Sequence, residues 1–353
     1  MKLRIAINAK RIDGPYGGGN QFLKALEKYL VAQGHELFRK LIPGLDVVLI
    51  AIANDNARIN AFRSQEIERY LLVFPNTIVV HRVNTCDEQR GSDLGNNSTI
   101  MKINRLTDHT VFVSEFLKQV FVGHGWSQDK PNSVIHNAAD QSIFNTTEKA
   151  TWEPGQKMKV VTHHWSSNYL KGFDIYERLD QLLGTEPYSN LFEFTVIGNV
   201  PLGLEFKNSK RLAPMHGPEL AEELKSRHLY LSAARHEAGG NHYIEAMACG
   251  LPVLYLKSGS LPEYCVDYGI GFDLVDFEKR LIEARDTYKM LSDRVLEYKY
   301  SAEDAAQRYE KIFIRMVNDG DSTISSTSRF ARYRWWIGYN IPKMIRYVMR
   351  AIK

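Results

Sequence analysis

The stretch from Leu229 to Leu256 constrains the fold more than any other part of this chain. An apolar run, Leu229–Ala234, meets a polar loop that carries Glu237 and the pair Gly239-Gly240. A helical pattern from about Asn241 to Cys249 follows and is stopped by Gly250 and Pro252; Pro252–Leu256 then reads as a second buried strand. Strand, glycine loop, helix and strand in that order make the βαβ unit of a doubly wound sheet. The first N–H groups of such a helix have no backbone partner and carry partial positive charge, so they favour a phosphate. Gly239 and Gly240 remove side chains where a ligand must come close to the backbone. Glu245, one turn into the helix, leans back toward the same place. A carboxylate repels phosphate, so its natural partner is a pair of hydroxyls such as a ribose. A ligand with phosphate in the middle and hydroxyls at both ends fits all of this, and that describes a sugar nucleotide.

The rest of the chain repeats the βα alternation. Leu3–Asn8 is a short apolar strand, and the glycine loop containing Gly17, Gly18 and Gly19 leads to a helix from Gln21 to about Ala32. Asp46–Ala53 is a continuous apolar run, as a parallel strand covered on both faces should be. A polar helix over roughly Asp55–Tyr70 comes next, then a strand at Thr77–His81 that ends in His81-Arg82-Val83-Asn84. Ligands of open α/β sheets gather at the carboxyl ends of strands, which places His81, Arg82 and Asn84 well. The following loop holds Asp87, Glu88 and Arg90, either facing a substrate or solvated. Further strands fall at Thr110–Ser114 and Ser133–His136, with a helix at Glu115–Val122 between them. The polar segment Thr146–Lys157 reads as a linker. Strands at Met158–His163 and Phe192–Ile197 follow, then a proline-started helix within Met215–Arg227. After Leu256 come a strand at Gly269–Leu274 and helices at about Asp276–Leu291 and Ser301–Val317.

A length of 353 residues suggests two domains, each large enough for its own core. Cys86, Cys249 and Cys265 are odd in number and lack metal-ligand spacing, which suits free thiols in a reducing cytoplasm. The first residues, MKLRIAINAK, read as a strand and not a signal peptide, and no run is long enough to span a membrane. His163 and His164 are adjacent but would face opposite ways on a strand, with no other ligand at metal spacing, so no metal site is expected. The net charge of +4 hides an asymmetry. Residues 329–353 hold five Arg and two Lys with no acid, leaving the rest of the chain at −3. On a helix from Pro342, Ile345, Val348 and Ile352 share one face, opposite Lys343, Arg346, Arg350 and Lys353, while Tyr333, Trp335, Trp336 and Tyr339 add interfacial aromatics. That pattern suits a helix lying on an anionic membrane surface. Packing of the apolar face on the protein itself is the alternative, and no nucleic-acid module is recognised.

Glu237 and Glu245 stand in an E-x7-E arrangement continued by EAMACGLPV, and this resembles family 4 of the retaining glycosyltransferases, with the GT-B fold. The likeness is concentrated in Leu229–Glu263, with weaker echoes up to about residue 315. It implies two Rossmann-like domains facing a cleft: an acceptor domain over 1–145, a linker over 146–157, a donor domain over 158–317, and a basic aromatic tail over 318–353. By resemblance Glu237 contacts the transferred sugar and Glu245 holds the nucleotide ribose. Gly17, Gly18 and Gly19 lie against the donor diphosphate, together with Gly239, Gly240 and Asn241. His81 sits near the sugar and acceptor, where a neutral imidazole could take or relay a proton. Lys171-Gly172 matches the basic element that neutralises the leaving diphosphate, and Gly198 lies near the base. Asn137-Ala138-Ala139-Asp140 and Phe144 match the segment that closes the first domain, and Ser258–Glu263 matches a further loop. Two positions depart: Ala138 stands where the segment closing the first domain usually has glycine, a minor change, and the second matters more. Where the family often has an arginine, six residues before the lysine, this chain has Trp165, so that His164 or Arg235 would have to supply the charge.

The resemblance implies transfer of a sugar from a UDP-, GDP- or ADP-sugar to a hydroxyl of a glycan, lipid-linked or other acceptor. It further implies no required cofactor or metal, and a cytoplasmic enzyme, peripheral at the membrane if residues 329–353 bind there. The alternatives are an epimerase or hydrolase of sugar nucleotides on the same fold, or a catalytically silent binding protein.

Overall fold

The computed structural model describes residues 1–10, 17–54, 58–91 and 93–319. The basic tail and Asp13–Tyr16 lie outside the described residues. Two sheets of six strands organise what is described, and every pairing between strands is parallel.

The first sheet comprises β1 (Arg4–Ile7), β2 (Glu36–Phe38), β3 (Val47–Ile50), β4 (Ile78–Val83), β5 (His109–Phe112) and β6 (Asn132–Val134), in the order β2-β1-β3-β4-β5-β6. β3, β4 and β5 are buried along their whole length; β3 is apolar throughout, whereas β4 and β5 also carry the buried polar residues His81, Arg82, His109 and Thr110. The second sheet comprises β7 (Met158–His164), β8 (Phe192–Gly198), β9 (Lys210–Leu212), β10 (Leu229–Ser232), β11 (Val253–Leu256) and β12 (Gly269–Phe272). Its order, β12-β11-β10-β7-β8-β9, is that of a Rossmann domain, with the strand order reversing between β7 and β10. A crevice opens at such a reversal, and it is where ligands of these sheets bind.

Three local differences from the sequence pattern have physical causes. The glycines Gly17, Gly18 and Gly19 are not a loop before the first helix but its opening turn, for that helix runs Gly17–Ala32. The helix expected from about Asp55 spans Ser64–Val73, because the chain before it is taken by another partner. Lys10 donates to the carbonyl of Ile59 and Ala61 to that of Asn8, an antiparallel bridge against the end of β1. The expected helix Asp276–Leu291 is broken at Thr287 into Phe277–Asp286 and Tyr288–Val295.

The helix Ala302–Asn318 belongs by sequence order to the second half, yet it packs on the first. Its Ala305, Ala306, Tyr309, Ile312, Phe313 and Met316 join the core formed by β1, β3 and the helix Gly17–Ala32. Glu310 accepts hydrogen bonds from the Tyr29 hydroxyl at 2.8 Å and from His35 Nε2 at 2.9 Å. The chain thus crosses back over the cleft, and the two domains are tied at both ends. The segment 146–157 is also anchored: Ala150 N donates to the carbonyl of Lys225 at 2.9 Å, and Trp152 packs edge-on against Tyr288.

Candidate active site

The carboxyl ends of both sheets face each other across a cleft of about 1120 Å³. Its walls include Gly19, His81, Arg82, Gln89, Arg90 and Asn137 from the first domain. From the second come His163, His164, Trp165, Lys171, Gly198, Glu237, Gly239, Gly240, Asn241, His242 and Glu245. The loop after β10 is shaped by close backbone contacts. His236 adopts φ +52, an uncommon conformation for a side-chain-bearing residue, and it aims Glu237 inward. The next loop braces this turn. Ser260 N donates to the carbonyl of Glu237 at 2.8 Å, and a Cβ on Gly259 would lie 2.4 Å from Glu237 N. Lys171 is held in a comparable way. Gly172 adopts φ +96 against the end of β10, where a Cβ would lie 2.4 Å from that of Ala233.

These contacts bring Lys171 Nζ onto Glu237, in a salt bridge whose carboxylate is almost wholly buried. The second oxygen of Glu237 accepts from the side-chain amide of Gln89, which reaches over from the first domain. Sequence spacing gave no sign of Gln89; its only cue was its position among Asp87, Glu88 and Arg90. Asp87 and Glu88 do not face the cleft. Asp87 accepts from the backbone N–H groups of Asn96 and Asn97, and Glu88 from Asn97 and from His124 at 2.9 Å. Burial pushes the Glu88 carboxyl up, but the hydrogen bonds from Asn97 and His124 outweigh it and bring the pKa down to about 2.

Glu245, on the helix Asn241–Ala248, is buried and accepts from His163 Nε2 at 3.1 Å. The other ring nitrogen of His163, Nδ1, is buried and has no hydrogen-bond partner among the described residues. His164 shares a 2.7 Å hydrogen bond with the Tyr176 hydroxyl, and His242 one of 3.1 Å with Ser232. Burial above all holds both of these imidazoles neutral, with Lys171 adding to the effect on His164 and His164 on His242. Neither replaces the charge absent at Trp165, whose ring is half exposed on the rim. Arg235 does not replace it either: its guanidinium is committed to Asp174, with one contact at 2.8 Å.

Gly198 closes β8 at φ +117, where a Cβ would meet the carbonyl of His164 at 2.0 Å. Only glycine lets β7 and β8 end side by side here. His81 is fully buried on β4, within the wall of the cleft. Because Asn104 uses its oxygen to accept from Trp126, its amide nitrogen faces His81 Nδ1 at 3.2 Å. The proton of His81 therefore sits on Nε2, buried and unpartnered. Burial first, and the nearby charge of Lys130 second, bring this pKa down to about 3. So His81 is a neutral part of the wall and a weak base.

The domains are closed on each other by hydrogen bonds as well. Glu263 accepts from the backbone N–H groups of Glu115 (2.8 Å) and Phe116 (3.2 Å) and bonds His136 Nε2 at 2.6 Å. Asn137 donates from its side chain to the carbonyl of Gly239 at 2.7 Å. Among the described residues no group of three or more His, Cys, Asp or Glu is arranged to hold a metal ion, and no helix is long and apolar enough to cross a membrane.

Residues 211–311 match the sequence model of the family Glycosyl transferases group 1. Among solved structures, HepE of Anabaena in complex with UDP and glucose superposes with a TM-score of 0.64 at 14% identity, over 89% of this chain and 100% of that one. WaaG, a glycosyltransferase involved in lipopolysaccharide biosynthesis, gives 0.61 at 15% identity, over 88% and 99%. The catalytic domain of starch synthase IV from Arabidopsis thaliana, bound to ADP and acarbose, gives 0.59 at 12% identity, over 90% and 100%. At such identities the likeness is one of fold, and the fold is GT-B. No curated protein matches the chain.

Proposed function

We propose that this chain is a retaining glycosyltransferase of the family 4 type, moving a sugar from a nucleoside diphosphate sugar to an acceptor hydroxyl. One observation carries the reading. Lys171, Glu237 and the start of the helix Asn241–Ala248 converge where the second sheet reverses its strand order, in a cleft open to the first domain. Cation, free helix N–H groups and carboxylates together suit a ligand with a diphosphate between two hydroxyl-bearing rings. In the reaction the bond between the anomeric carbon and the diphosphate oxygen breaks. Lys171 and the helix N–H groups, with Gly239 and Gly240 allowing close approach, neutralise the departing charge. The acceptor oxygen attacks the same face, and its proton passes to the leaving phosphate. Glu237 orients the sugar, Glu245 holds the ribose, and Gly17, Gly18, Gly19 and Gly198 line the donor's path. His81 borders the acceptor as a neutral wall.

The donor is a UDP-, GDP- or ADP-sugar and the acceptor a cell-surface glycan or glycolipid precursor, met at the inner membrane face through residues 329–353. The match at 211–311 and the UDP and ADP in structural neighbours support the donor class. Thermal-shift screening against the three diphosphates and their sugar conjugates tests it, since a specific binder raises apparent stability by mass action. Turnover that is lost in chelator and restored by magnesium or manganese would refute a metal-free mechanism. Rapid conversion of donor alone would favour an epimerase or hydrolase. If deleting 329–353 leaves sedimentation with anionic liposomes unchanged, the membrane role falls.

A further inference from the structure

We propose that Arg82, on the first domain, binds the donor diphosphate and supplies the positive charge that Trp165 does not. The inference rests on the donor-site reading above. Arg82 is 2% exposed, borders the cleft, and has no carboxylate partner among the described residues. Its Nη2 donates to Asn137 Oδ1 at 2.8 Å, its Nε has no hydrogen-bond partner, and its guanidinium lies 4.0 Å from the centre of the Phe22 ring. Besides Asn137, the Tyr309 hydroxyl lies beside the guanidinium, and both are neutral. A buried guanidinium without a counter-ion is costly, and a ligand anion can offset that cost.

The direction of that anion follows from Asn137. The same side chain that accepts from Arg82 donates to the carbonyl of Gly239, so the guanidinium stands two hydrogen bonds from the glycine turn before the helix Asn241–Ala248. Phe22, from the first helix, fixes the other side of the guanidinium. An anion on that helix start is thereby flanked by Lys171 from one domain and Arg82 from the other. The second-domain alternatives are already committed, Arg235 to Asp174 and His164 to Tyr176 in neutral form. Binding through Arg82 would also make donor affinity depend on closure of the two domains, which a cation at Trp165 would not.

The test is titration calorimetry of wild type, Arg82→Gln, Arg82→Lys and Lys171→Ala with UDP, GDP and ADP, each paired with its nucleoside. Arg82→Gln should weaken the bound diphosphate about tenfold to a hundredfold, the worth of one charge-assisted hydrogen bond, with the nucleoside little changed. Arg82→Lys should recover part of the loss. Unchanged diphosphate affinity in Arg82→Gln, with loss in Lys171→Ala, overturns the role of Arg82 and leaves the donor site standing. Equal loss of nucleoside and diphosphate makes Arg82 a structural pin and overturns it too. Failure of wild type to bind any of the three removes the donor-site reading and this inference with it. Should Arg82→Gln not fold, a crystal structure of wild type with the bound diphosphate decides, because a guanidinium out of hydrogen-bond reach of every phosphate oxygen refutes the proposal.

Discussion

Replacing Lys171 by methionine should cost stability as well as function, and the structure says how much. The Glu237 side chain is 3% exposed and that of Lys171 is 18% exposed. Removing one partner of a buried pair costs about 3–5 kcal/mol, because the other charge stays buried and unpaired. Two things reduce this. Gln89 still donates to Glu237, and the lysine end of the pair borders the open cleft. An expected loss of about 2–3 kcal/mol remains after that screening. Glu237→Gln should cost less, about 1 kcal/mol, because the freed ammonium can turn toward water. In the double variant no charge is left behind, so K171M/E237Q should be more stable than K171M alone by at least about 1 kcal/mol. Urea unfolding of the four proteins gives the coupling, while nucleoside diphosphate binding should stay lost in both variants lacking the lysine. A K171M protein as stable as wild type, or a double variant no better than K171M, would show that the ion pair is not the buried contact described.

Gly172→Ala places a Cβ against Ala233 at φ +96, and should lower stability by about 1–3 kcal/mol in thermal unfolding while displacing Lys171. Glu263 gives a pH dependence. Burial raises its pKa, but hydrogen bonds from His136, Glu115 and Phe116 outweigh that and hold it below the ordinary 4.5. With the folded value depressed, the interdomain latch stabilises above the unfolded pKa and is lost as pH falls, so wild type should lose stability more steeply than Glu263→Gln below about pH 4.5. Trp165→Arg adds a cation at the rim of the cleft. In calorimetry it should strengthen diphosphate binding several-fold at low salt, and the gain should fade as salt screens it.

The parts of the fold that sequence shows are those decided locally. β10 begins at Leu229 with its apolar run and ends at Ser232, two residues before the run does, and the following helix starts at Asn241, right after the glycines. The three-residue edge strands β2 and β9 left no trace, because they are partly exposed and offer neither an apolar run nor alternation. The helix Ala302–Asn318 shows its apolar face plainly, but periodicity cannot say which of two cores that face will meet. The site divides the same way. Glu237 and Glu245 are visible because they bracket a glycine pair after an apolar run, and Lys171 through the resemblance of Lys171-Gly172 to a family element. Gln89 is invisible because it meets Glu237 only when the domains close. In the sequence His163 stands out only as half of an adjacent histidine pair to be tested for a metal, whereas its partner is Glu245, on the neighbouring element of the strand reversal.

Both cleft glutamates are already occupied in this structure, Glu237 by Lys171 and Gln89, Glu245 by His163. A donor entering such a cleft cannot simply add contacts; it must exchange them. In the proposed donor complex a diphosphate would compete with Glu237 for Lys171, and a carboxylate so released would need new donors, which the hydroxyls of a sugar could supply. A ribose would do the same for Glu245, whose His163 is held on the adjacent strand end. Phosphate alone would free Glu237 without satisfying it, leaving a buried charge with only the Gln89 amide. On the proposed donor-site reading, the internal ion pair would make a nucleoside diphosphate bind more weakly than its sugar conjugate, and this selectivity would arise before any contact with the acceptor.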